Sequence, residues 1–349
     1  MTLTLGVRKG SDFSVLSRQI REAKLLDRRP VSYTLRIGFT ALAYVGGWVA
    51  FALVGDSWYQ TIVAAVFGLI FTQVAFLGHD GGHQQIWRSK RANDLLGIFA
   101  GDLLTGLSYG WWVDKHNRHH AKPNFEGHDP DIGDGVLAFT TDQAANRKGP
   151  VSRFITRNQA LLFFPLLTLE GIQLHVASIQ SLREGRTHKR RRLEIGLFTV
   201  HVLAYLGAVL LVLDPVKALV FVAIHQAVFG VYMGCSFAPN HKGMPTIAPG
   251  VQIDFLRRQV LTSRNVRGGW FTDFLLGGLN YQVEHHLFPN MPRPSLRKAQ
   301  SLVRDFCAEH GIHYTETSLI GSYAAALRHL HDLGAPLRAQ ATQIGASRA

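Results

Sequence analysis

The sequence predicts an all-α integral membrane protein in which four transmembrane helices form two hairpins and a cytoplasmic helical cap carries clusters of histidines. Three observations predict this fold class: the length of the apolar runs, the shortness of the connections between them, and the distribution of lysine and arginine. The chain has 349 residues, of which 47% are hydrophobic. This apolar content excludes a disordered or fibrous protein.

The apolar runs have the length that a bilayer requires. A helix that rises about 1.5 Å per residue needs about 20 residues to cross about 30 Å of hydrocarbon. Four runs are of about this length: residues 35–54, 58–78, 195–213 and 216–236. Only Gly55, Asp56 and Ser57 separate the first two runs, and only Asp214 and Pro215 separate the last two. Each pair is therefore predicted to be a helical hairpin, and a soluble protein with buried core helices does not account for this pairing.

The basic side chains predict the orientation of the hairpins. Of the 37 lysines and arginines, 8 lie in residues 1–36, 16 in residues 79–194 and 12 in residues 237–349, whereas Lys217 stands alone between the last two runs. Basic residues accumulate on the cytoplasmic side of membrane proteins. We therefore expect both termini and both large hydrophilic regions to be cytoplasmic.

The chain is predicted to have five parts in sequence order. They are a basic cytoplasmic segment (1–34), the first transmembrane hairpin (35–78), a cytoplasmic region with two histidine clusters (79–194), the second hairpin (195–236) and a cytoplasmic C-terminal region with the third cluster (237–349). Residues 160–179 are long enough to span, but a crossing there would place the basic segment 183–192 on the wrong side. An interfacial or partly buried helix is predicted instead. No function is assigned to the alanine-rich helix expected over residues 315–349.

The net charge of +13 indicates a membrane partner rather than nucleic acid, because the basic residues flank the apolar runs. We expect them to hold the anionic headgroups of membrane lipids. Two cysteines cannot build a disulfide framework.

Seven of the 17 histidines fall in three short clusters. The clusters are His79-Asp-Gly-Gly-His83, His116-Asn-Arg-His119-His120 and Gln282-Val-Glu-His285-His286. Spacings of three and four residues place side chains on one helical face, so each cluster is expected to present its imidazoles toward a common point. Seven nitrogen ligands exceed what one zinc ion uses, which implies two metal ions.

Imidazole suits zinc, copper, iron and nickel, and the absence of cysteine from the clusters excludes an iron–sulfur centre. Spacing alone does not choose among these metals. An imidazole-rich site at the cytoplasmic end of an apolar bundle suits the oxidation of a lipid chain, which needs a redox metal.

The three clusters, in this order and separated by a membrane hairpin, resemble the histidine boxes of the membrane fatty acyl desaturases. The third box continues as QVEHHLFPNMP and is similar to that of the linoleoyl-type, acyl-lipid and front-end enzymes. Residues 121–132 (AKPNFEGHDPDI) and 237–245 (FAPNHKGMP) resemble bacterial members. The resemblance extends over most of the chain, and it implies a desaturase of the bacterial cytoplasmic membrane that introduces a cis double bond into an acyl-CoA or acyl-lipid.

The resemblance further implies two iron ions, with dioxygen as co-substrate. The implied metal ligands are His79, His83, His116, His119, His120, His241, His285 and His286. Gln282 stands where other members have a histidine, and it is expected to bind weakly, to hold a water or to orient a neighbour. The chain has no His-Pro pair and so lacks the haem motif of the fused enzymes. The electrons are therefore expected from a separate donor of the ferredoxin or flavin reductase type. As an alternative to holding lipid headgroups, the basic segments could bind the acidic face of this donor or the phosphates of an acyl-CoA.

Two further sets of side chains are candidates for supporting roles. The carboxylates expected to accept the second ring N–H of a ligating histidine are Asp80, Asp102, Asp129 and Glu284, with Asp131 beside them. The aromatic residues that flank the boxes and are expected to line the mouth of a substrate tunnel are Trp111, Trp112, Trp270 and Phe271. Membrane-interface anchors are an equal interpretation of these aromatic residues.

Two other functions are compatible with the histidine clusters. A membrane hydroxylase or ketolase would use the same metal chemistry to insert oxygen into a lipid. A histidine-rich metal transporter is a more distant alternative, because transport needs ionisable ligands at mid-bilayer, where only His201 and His225 lie.

Overall fold

The computed structural model describes residues 11–185 and 190–346 and shows a mostly helical chain. The predictions made for residues 1–10, 186–189 and 347–349 lie outside the described residues. The first helix, α1 (Asp12–Glu22), buries Leu16 and Ile20 one turn apart. Its apolar face thereby joins a core that later elements complete.

The first predicted hairpin is formed by α2 (Pro30–Val54) and α3 (Gln60–Gly82). Pro30 fits the first turn of α2, because a backbone N–H at this position would have no partner within the helix. Gly55 ends α2 with a φ of 61°, a conformation that glycine adopts without strain. α3 continues past the end of the apolar run at residue 78, so His79 lies inside the helix.

The second histidine cluster lies on a helix with a clear start. Ser89 caps α4 (Lys90–Ile98), which passes into a π-helical turn (Phe99–Thr105). Ser108 then caps α5 (Tyr109–Ala121) by accepting from the backbone N–H of Trp111. All three histidines of the second cluster lie in the last turns of α5.

The region after α5 contains short helices. They are a 3₁₀ turn (Pro130–Ile132), α6 (Thr141–Ala145), α7 (Pro150–Arg157), α8 (Gln159–Leu167) and α9 (Glu170–Glu184). The single helix predicted over residues 160–179 is in fact two, because α8 and α9 meet at 71°. The bend follows Pro165, whose carbonyl oxygen accepts from the Thr168 hydroxyl at 2.6 Å. The interfacial position of this pair stays a prediction.

The second predicted hairpin is formed by α10 (Arg191–Val212) and α11 (Pro215–His241). Lys217 pairs with Asp56 at 3.1 Å, and the backbone N–H of Asp214 donates to the same carboxylate. The two hairpin loops therefore lie together at one end of the bundle. His79 and His241, near the far ends of α3 and α11, lie at the other end.

The two inner helices of the bundle are α3 and α11. Gly68 permits their close approach, since a Cβ there would lie 2.8 Å from Val228. Phe67, Phe71 and Phe221 fill the contact between the hairpins. α2 and α10 are mostly exposed along their apolar lengths. Within the described residues the chain thus has four helices long and apolar enough to cross a membrane, as the sequence predicts.

Seven elements of the described chain follow α11, and some of them build a second core together with α1. They are α12 (Phe255–Leu261), β1 (Asn265–Arg267), α13 (Trp270–Leu275), α14 (Gln282–Leu287), α15 (Arg293–Glu309), β2 (Glu316–Ser318) and α16 (Leu319–Ala346). β1 and β2 pair in parallel, with Asn265 opposite Glu316. Val283 of α14 and Leu296 of α15 pack in the same core as α1. The short α14 is therefore held from several sides, and it carries the third histidine cluster.

Candidate metal centre

Four imidazoles meet where α3, α5 and α14 converge. We call His79, His83, His116 and His285 the first histidine group; one nitrogen from each lies within 4.8 Å of the others. The Nε2 atoms of His83 and His116 are 2.9 Å apart. His79, His83 and His285 are buried, and His116 is half-buried.

A second set of imidazoles lies beside the first. We call His119, His241 and His286 the second histidine group; all three are buried, and their nitrogens also lie within 4.8 Å of one another. His120 lies between the two groups. Its Nε2 is 3.1 Å from that of His116, and its ring stacks on His286 with the ring centres 4.1 Å apart.

The boxes do not map one-to-one onto the groups. Within α5, His116 belongs to the first group and His119 to the second, and the neighbours His285 and His286 also separate. The expectation that each cluster presents its imidazoles to one common point is therefore wrong for the second and third clusters. Around a helix, side chains one residue apart diverge by about 100° and side chains three residues apart by about 60°, so a helix that lies between two sites can serve both.

The second group has defined tautomers, because each Nδ1 faces an oxygen that accepts hydrogen bonds. The Nδ1 atom of His119 is 3.0 Å from the Asp129 carboxylate, and that of His241 is 3.0 Å from the carbonyl oxygen of Thr262. That of His286 is 3.0 Å from the amide oxygen of Gln259. Each Nδ1 therefore carries a proton, and the Nε2 of a neutral ring presents a lone pair.

These lone pairs point at one another. The Nε2 atom of His241 is 3.0 Å from that of His286 and 3.3 Å from that of His119. Between neutral rings such contacts repel in a buried site unless a hydrogen-bond donor or a cation accepts the lone pairs. The Nε2 atoms of His79 and His285 and the Nδ1 of His120 are buried and have no hydrogen-bond partner among the described residues. Free nitrogens that converge in this way fit a metal-binding site.

Protonation of five of the imidazoles is disfavoured. Burial holds the pKa values of His83, His116, His120, His285 and His286 well below the ordinary value of histidine, and the neighbouring histidines lower them further. These rings are neutral at pH 7, as metal ligands must be. An all-nitrogen donor set fits iron, copper, nickel or zinc and does not fit magnesium or calcium.

Three of the five candidate carboxylates contact a histidine of the two groups: Asp80, Asp129 and Asp131, whose Oδ2 lies 3.5 Å from His119 Nδ1. Asp129 accepts from His119 Nδ1 and also from the backbone N–H groups of Asn124 and Asp131. Burial alone would raise the pKa of Asp129, but the hydrogen bond from His119 holds it below its usual range. Asp80 Oδ1 lies 3.4 Å from His79 Nδ1.

The other two candidates lie elsewhere. Asp102 accepts from the backbone N–H of Tyr109 at 3.4 Å, and burial together with the charge of Glu194 raises its pKa to about 9. Glu284 accepts from Asn265 and Tyr314, and burial raises its pKa to about 7. Neither carboxylate bonds to a histidine within the part of the chain that the structure describes. Proximity in sequence to a box is thus a weak guide to contact with its imidazoles.

Gln282 has a defined orientation beside the second group. The side-chain nitrogen of Asn240 donates to the carbonyl oxygens of Ser236 and Leu279 and to the amide oxygen of Gln282. This leaves the amide nitrogen of Gln282 facing His241 Nε2 at 2.9 Å. An N–H group does not bind a metal, so this geometry favours the orienting and water-holding roles of Gln282 over the ligand role.

One of the four aromatic candidates borders both the histidines and a cavity. Trp112 stacks on His116 with the ring centres 4.5 Å apart, and it lines a cavity that also reaches His79. The rest of the cavity wall is mainly apolar and includes Ala75, Phe76, Leu107, Met233 and Phe237. Trp111, Trp270 and Phe271 are not in this wall. Trp270 is 77% exposed and Phe271 59% exposed on α13, which fits the alternative of membrane-interface anchors.

Several residues around the histidines have no signal in the sequence. Gln259 accepts from His286 and donates to the carbonyl oxygen of His120, so it joins two boxes. Arg293 forms a buried ion pair with Asp80 at 2.6 Å. Each lies on an element remote from its partner along the chain. Only the folded arrangement brings them to the site.

The comparison with known proteins agrees with this geometry. A family model described as fatty acid desaturase matches residues 56–318. The chain is 31% identical over 288 residues to the Acyl-lipid (9-3)-desaturase of Physcomitrium patens, which covers 79% of this chain and 54% of that protein. It is 31% identical over 305 residues to the Delta(6)-fatty-acid desaturase fat-3 of Caenorhabditis elegans, covering 84% of this chain and 68% of that one.

A third relative is the Delta(8)-fatty-acid desaturase of Helianthus annuus, at 25% identity over 335 residues, or 91% of this chain and 72% of that one. The chain thus spans about half the length of the Physcomitrium protein and somewhat more of the other two. The match covers α3, α5, α11 and α14, the four helices that carry the buried histidines. The chain belongs to the fatty acid desaturase family, the oxygen-dependent membrane enzymes that introduce double bonds into acyl chains.

Proposed function

We propose that this chain introduces a cis double bond into an acyl chain carried on CoA or on a membrane lipid, using two iron ions, dioxygen and two electrons from a separate donor. The observation that carries the proposal is the convergence of eight imidazoles beside an apolar cavity. The first group would hold one ion and the second group the other, with His120 between them. When bound, the iron pair supplies the redox chemistry that the removal of two hydrogens by dioxygen requires.

The side chains around the groups fix the histidines for this task. Asp129, Gln259 and the carbonyl oxygen of Thr262 hold the three Nδ1 protons of the second group, so its Nε2 atoms face the metal position before any ion binds. The burial of both groups excludes bulk water. This protects the reaction from side reactions of the activated oxygen.

The cavity supplies the position of the acyl chain. Its wall of Ala75, Phe76, Leu107, Met233 and Phe237 suits a hydrocarbon, and it touches the centre at His79. Holding one carbon–carbon bond beside the metals removes much of the entropy cost of reaction, an effect of several kcal/mol. Trp112 separates the cavity from His116 and is proposed to limit how closely the chain approaches the first group.

We further propose that the histidine end of the bundle faces the cytoplasm. The two hairpin loops at the other end carry Asp56, Asp214 and the single Lys217, whereas none of the other 36 lysines and arginines of the sequence belongs to these loops. The electron donor would then bind from the cytoplasm. The acidic face of a ferredoxin or flavin reductase would match the basic surface there, so donor-supported turnover is expected to fall with salt while the iron content stays constant.

The related alternatives are disfavoured. The relatives named above are desaturases, and no observation favours a hydroxylase or ketolase. A metal transporter would need ligands at mid-bilayer. Of the two histidines there, His201 bonds to the carbonyl oxygen of Leu103 at 2.9 Å and His225 to the Tyr205 hydroxyl at 2.6 Å.

The test is expression in a host that lacks unsaturated fatty acids, followed by location of new double bonds by mass spectrometry. The wild-type chain should produce monounsaturated or further unsaturated chains, and His120→Ala should produce none. His128→Ala is the matched control, because His128 is an exposed histidine outside both groups. Hydroxylated or keto products, or full activity of His120→Ala, would refute the proposal.

A further inference from the structure

An unpaired arginine lies buried at the end of α11. Arg264 is only 3% exposed. Its Nε and Nη2 both donate to the carbonyl oxygen of Pro239, and Nη2 also donates to that of Lys242 at 2.8 Å. Its backbone N–H donates to the carbonyl oxygen of Asn240 at 2.9 Å. Arg264 therefore satisfies the carbonyl groups that the last turn of a helix leaves without partners.

No carboxylate forms an ion pair with Arg264 within residues 11–185 and 190–340. Burial lowers its pKa to about 10, so the side chain stays charged at pH 7. The negative end of the α11 dipole and the carbonyl oxygens are its compensation. The carbonyl groups thus stabilise the charge of Arg264, and the guanidinium in turn holds these carbonyl groups in place.

The other partner of the guanidinium comes from α16. Ser322 is fully buried; its hydroxyl accepts from Arg264 Nε at 2.8 Å and donates to the Pro239 carbonyl oxygen. The Ser322 carbonyl oxygen accepts from Nη2 at 3.2 Å. The two backbones are close here, since a Cβ on Gly243 would lie 2.7 Å from the Ala325 carbonyl oxygen. α16 begins after residue 318, where the match to the desaturase family ends.

The helix end held in this way carries a member of the second histidine group. His241 is the last residue of α11, between the carbonyl groups of Pro239 and Lys242 that Arg264 binds. Its ring is held by the carbonyl oxygen of Thr262, two residues before Arg264. One short segment therefore fixes both the backbone and the ring of His241.

We propose that Arg264 and Ser322 are positioning residues for the second histidine group, and that α16 is thereby a working part of the metal centre. That the second histidine group binds a metal rests on the proposed function, whereas the clamp that Arg264 and Ser322 form on the end of α11 does not. The Arg264 fork sets where α11 ends, and Ser322 sets the rotamer of the fork. Removing the Ser322 hydroxyl takes away the nearer of the two acceptors of Arg264 Nε and one of the donors to the Pro239 carbonyl oxygen, so the fork and the end of α11 should loosen.

The first measurement uses metal-free protein in lipid nanodiscs and follows hydrogen–deuterium exchange. In Ser322→Ala, peptides covering residues 238–244 should exchange about tenfold faster than in the wild type, because a hydrogen bond to a charged group is lost. The control is Tyr323→Phe, which removes the neighbouring bond from α16 to the Cys235 carbonyl oxygen at 2.7 Å but leaves Arg264 untouched. Equal exchange of both variants, or wild-type exchange of Ser322→Ala, would overturn the proposal.

The second measurement counts iron per polypeptide and records its Mössbauer spectrum. Ser322→Ala and Arg264→Lys should both keep the iron of the first group and lose that of the second, whereas Tyr323→Phe should keep both. Loss of both ions in equal proportion would indicate a general loss of structure and would overturn the positioning role. A wild type without iron would refute the proposed function, and the exchange measurement would still decide whether α16 clamps α11.

Discussion

The two histidine groups differ in how firmly the protein holds them. In the second group, every Nδ1 faces an acceptor: the Asp129 carboxylate, the Thr262 carbonyl oxygen or the Gln259 amide oxygen. In the first group, a ring-to-acceptor contact is formed by His79 with Asp80, at the longer distance of 3.4 Å. The first group instead borders Trp112 and, through His79, the apolar cavity.

This difference indicates a division of labour between the groups. A ring whose second nitrogen is held cannot turn or change tautomer, so the second group is organised for firm metal binding. In the proposed function the first group lies where the acyl chain reaches the centre, and fewer of its rings are held by an acceptor. Changes to the second group should therefore act on metal content, and changes next to the first group should act on the substrate.

The largest effects are expected from His285→Ala and His286→Ala, which alter adjacent residues of one helix but different groups. Each should lower iron from the proposed two ions to about one per polypeptide and lower desaturation by about a hundredfold or more, since the proposed chemistry needs both ions. Iron analysis by mass spectrometry and Mössbauer spectra of the two variants are the measurements. Identical residual spectra would show that the two histidines serve one ion, and the division into groups would be wrong.

The sequence predicts the hairpins and the three histidine clusters, but it does not predict how the histidines divide into two groups. The four apolar runs and the i,i+3 and i,i+4 spacings are local, so they predict the hairpins and the three clusters. Which imidazole joins which group depends on how α3, α5, α11 and α14 pack, and that packing separates His119 from His116 and His286 from His285. The supports Gln259 and Arg264 are equally non-local. A glutamine 27 residues from His286 carries no local pattern that identifies it as the partner of His286.

The next effect concerns the support of the second group. Asp129→Asn weakens the acceptor of His119 Nδ1 and allows the amide N–H₂ to face the ring, so the iron affinity should fall by about 10- to 100-fold. Titration of metal-free protein with ferrous iron measures the affinity of each site. Asp142→Asn, an exposed carboxylate of α6, is the control and should bind as the wild type does. An unchanged affinity in Asp129→Asn would remove the carboxylate from the support of the centre.

A smaller effect is expected next to the first group. Met233→Trp fills part of the cavity, so longer acyl chains should lose activity by about tenfold relative to shorter ones, because overpacking of this kind costs about 1–3 kcal/mol. The iron content should not change. Leu219→Trp, on the exposed face of the same helix, is the matched control. Product profiles from mixed-length acyl substrates measure the shift, and equal losses at all lengths would show that this cavity does not hold the chain.

The smallest effect on activity is expected from Asp102→Asn, which contrasts with Asp129→Asn. Since burial and Glu194 raise the pKa of Asp102 to about 9, the group is a neutral acid at pH 7, and an amide replaces it with little change. The raised pKa means that the folded protein binds this proton more tightly than the unfolded chain does. Its contribution to stability is therefore complete below about pH 4 and is lost as the pH rises through 9.

Asp102→Asn removes the titrating group and with it the loss of stability at high pH. The melting temperature of the variant relative to the wild type should therefore rise steadily between pH 5 and pH 9. Thermal unfolding in detergent at several pH values measures it, and desaturation should stay within about twofold of the wild type, as for a substitution that breaks no buried hydrogen bond. A parallel pH dependence of the two proteins, or an iron loss like that of Asp129→Asn, would mean that Asp102 is ionised and serves the histidines. The two buried aspartates would then play the same part, and the contrast between a charged support and a neutral one would disappear.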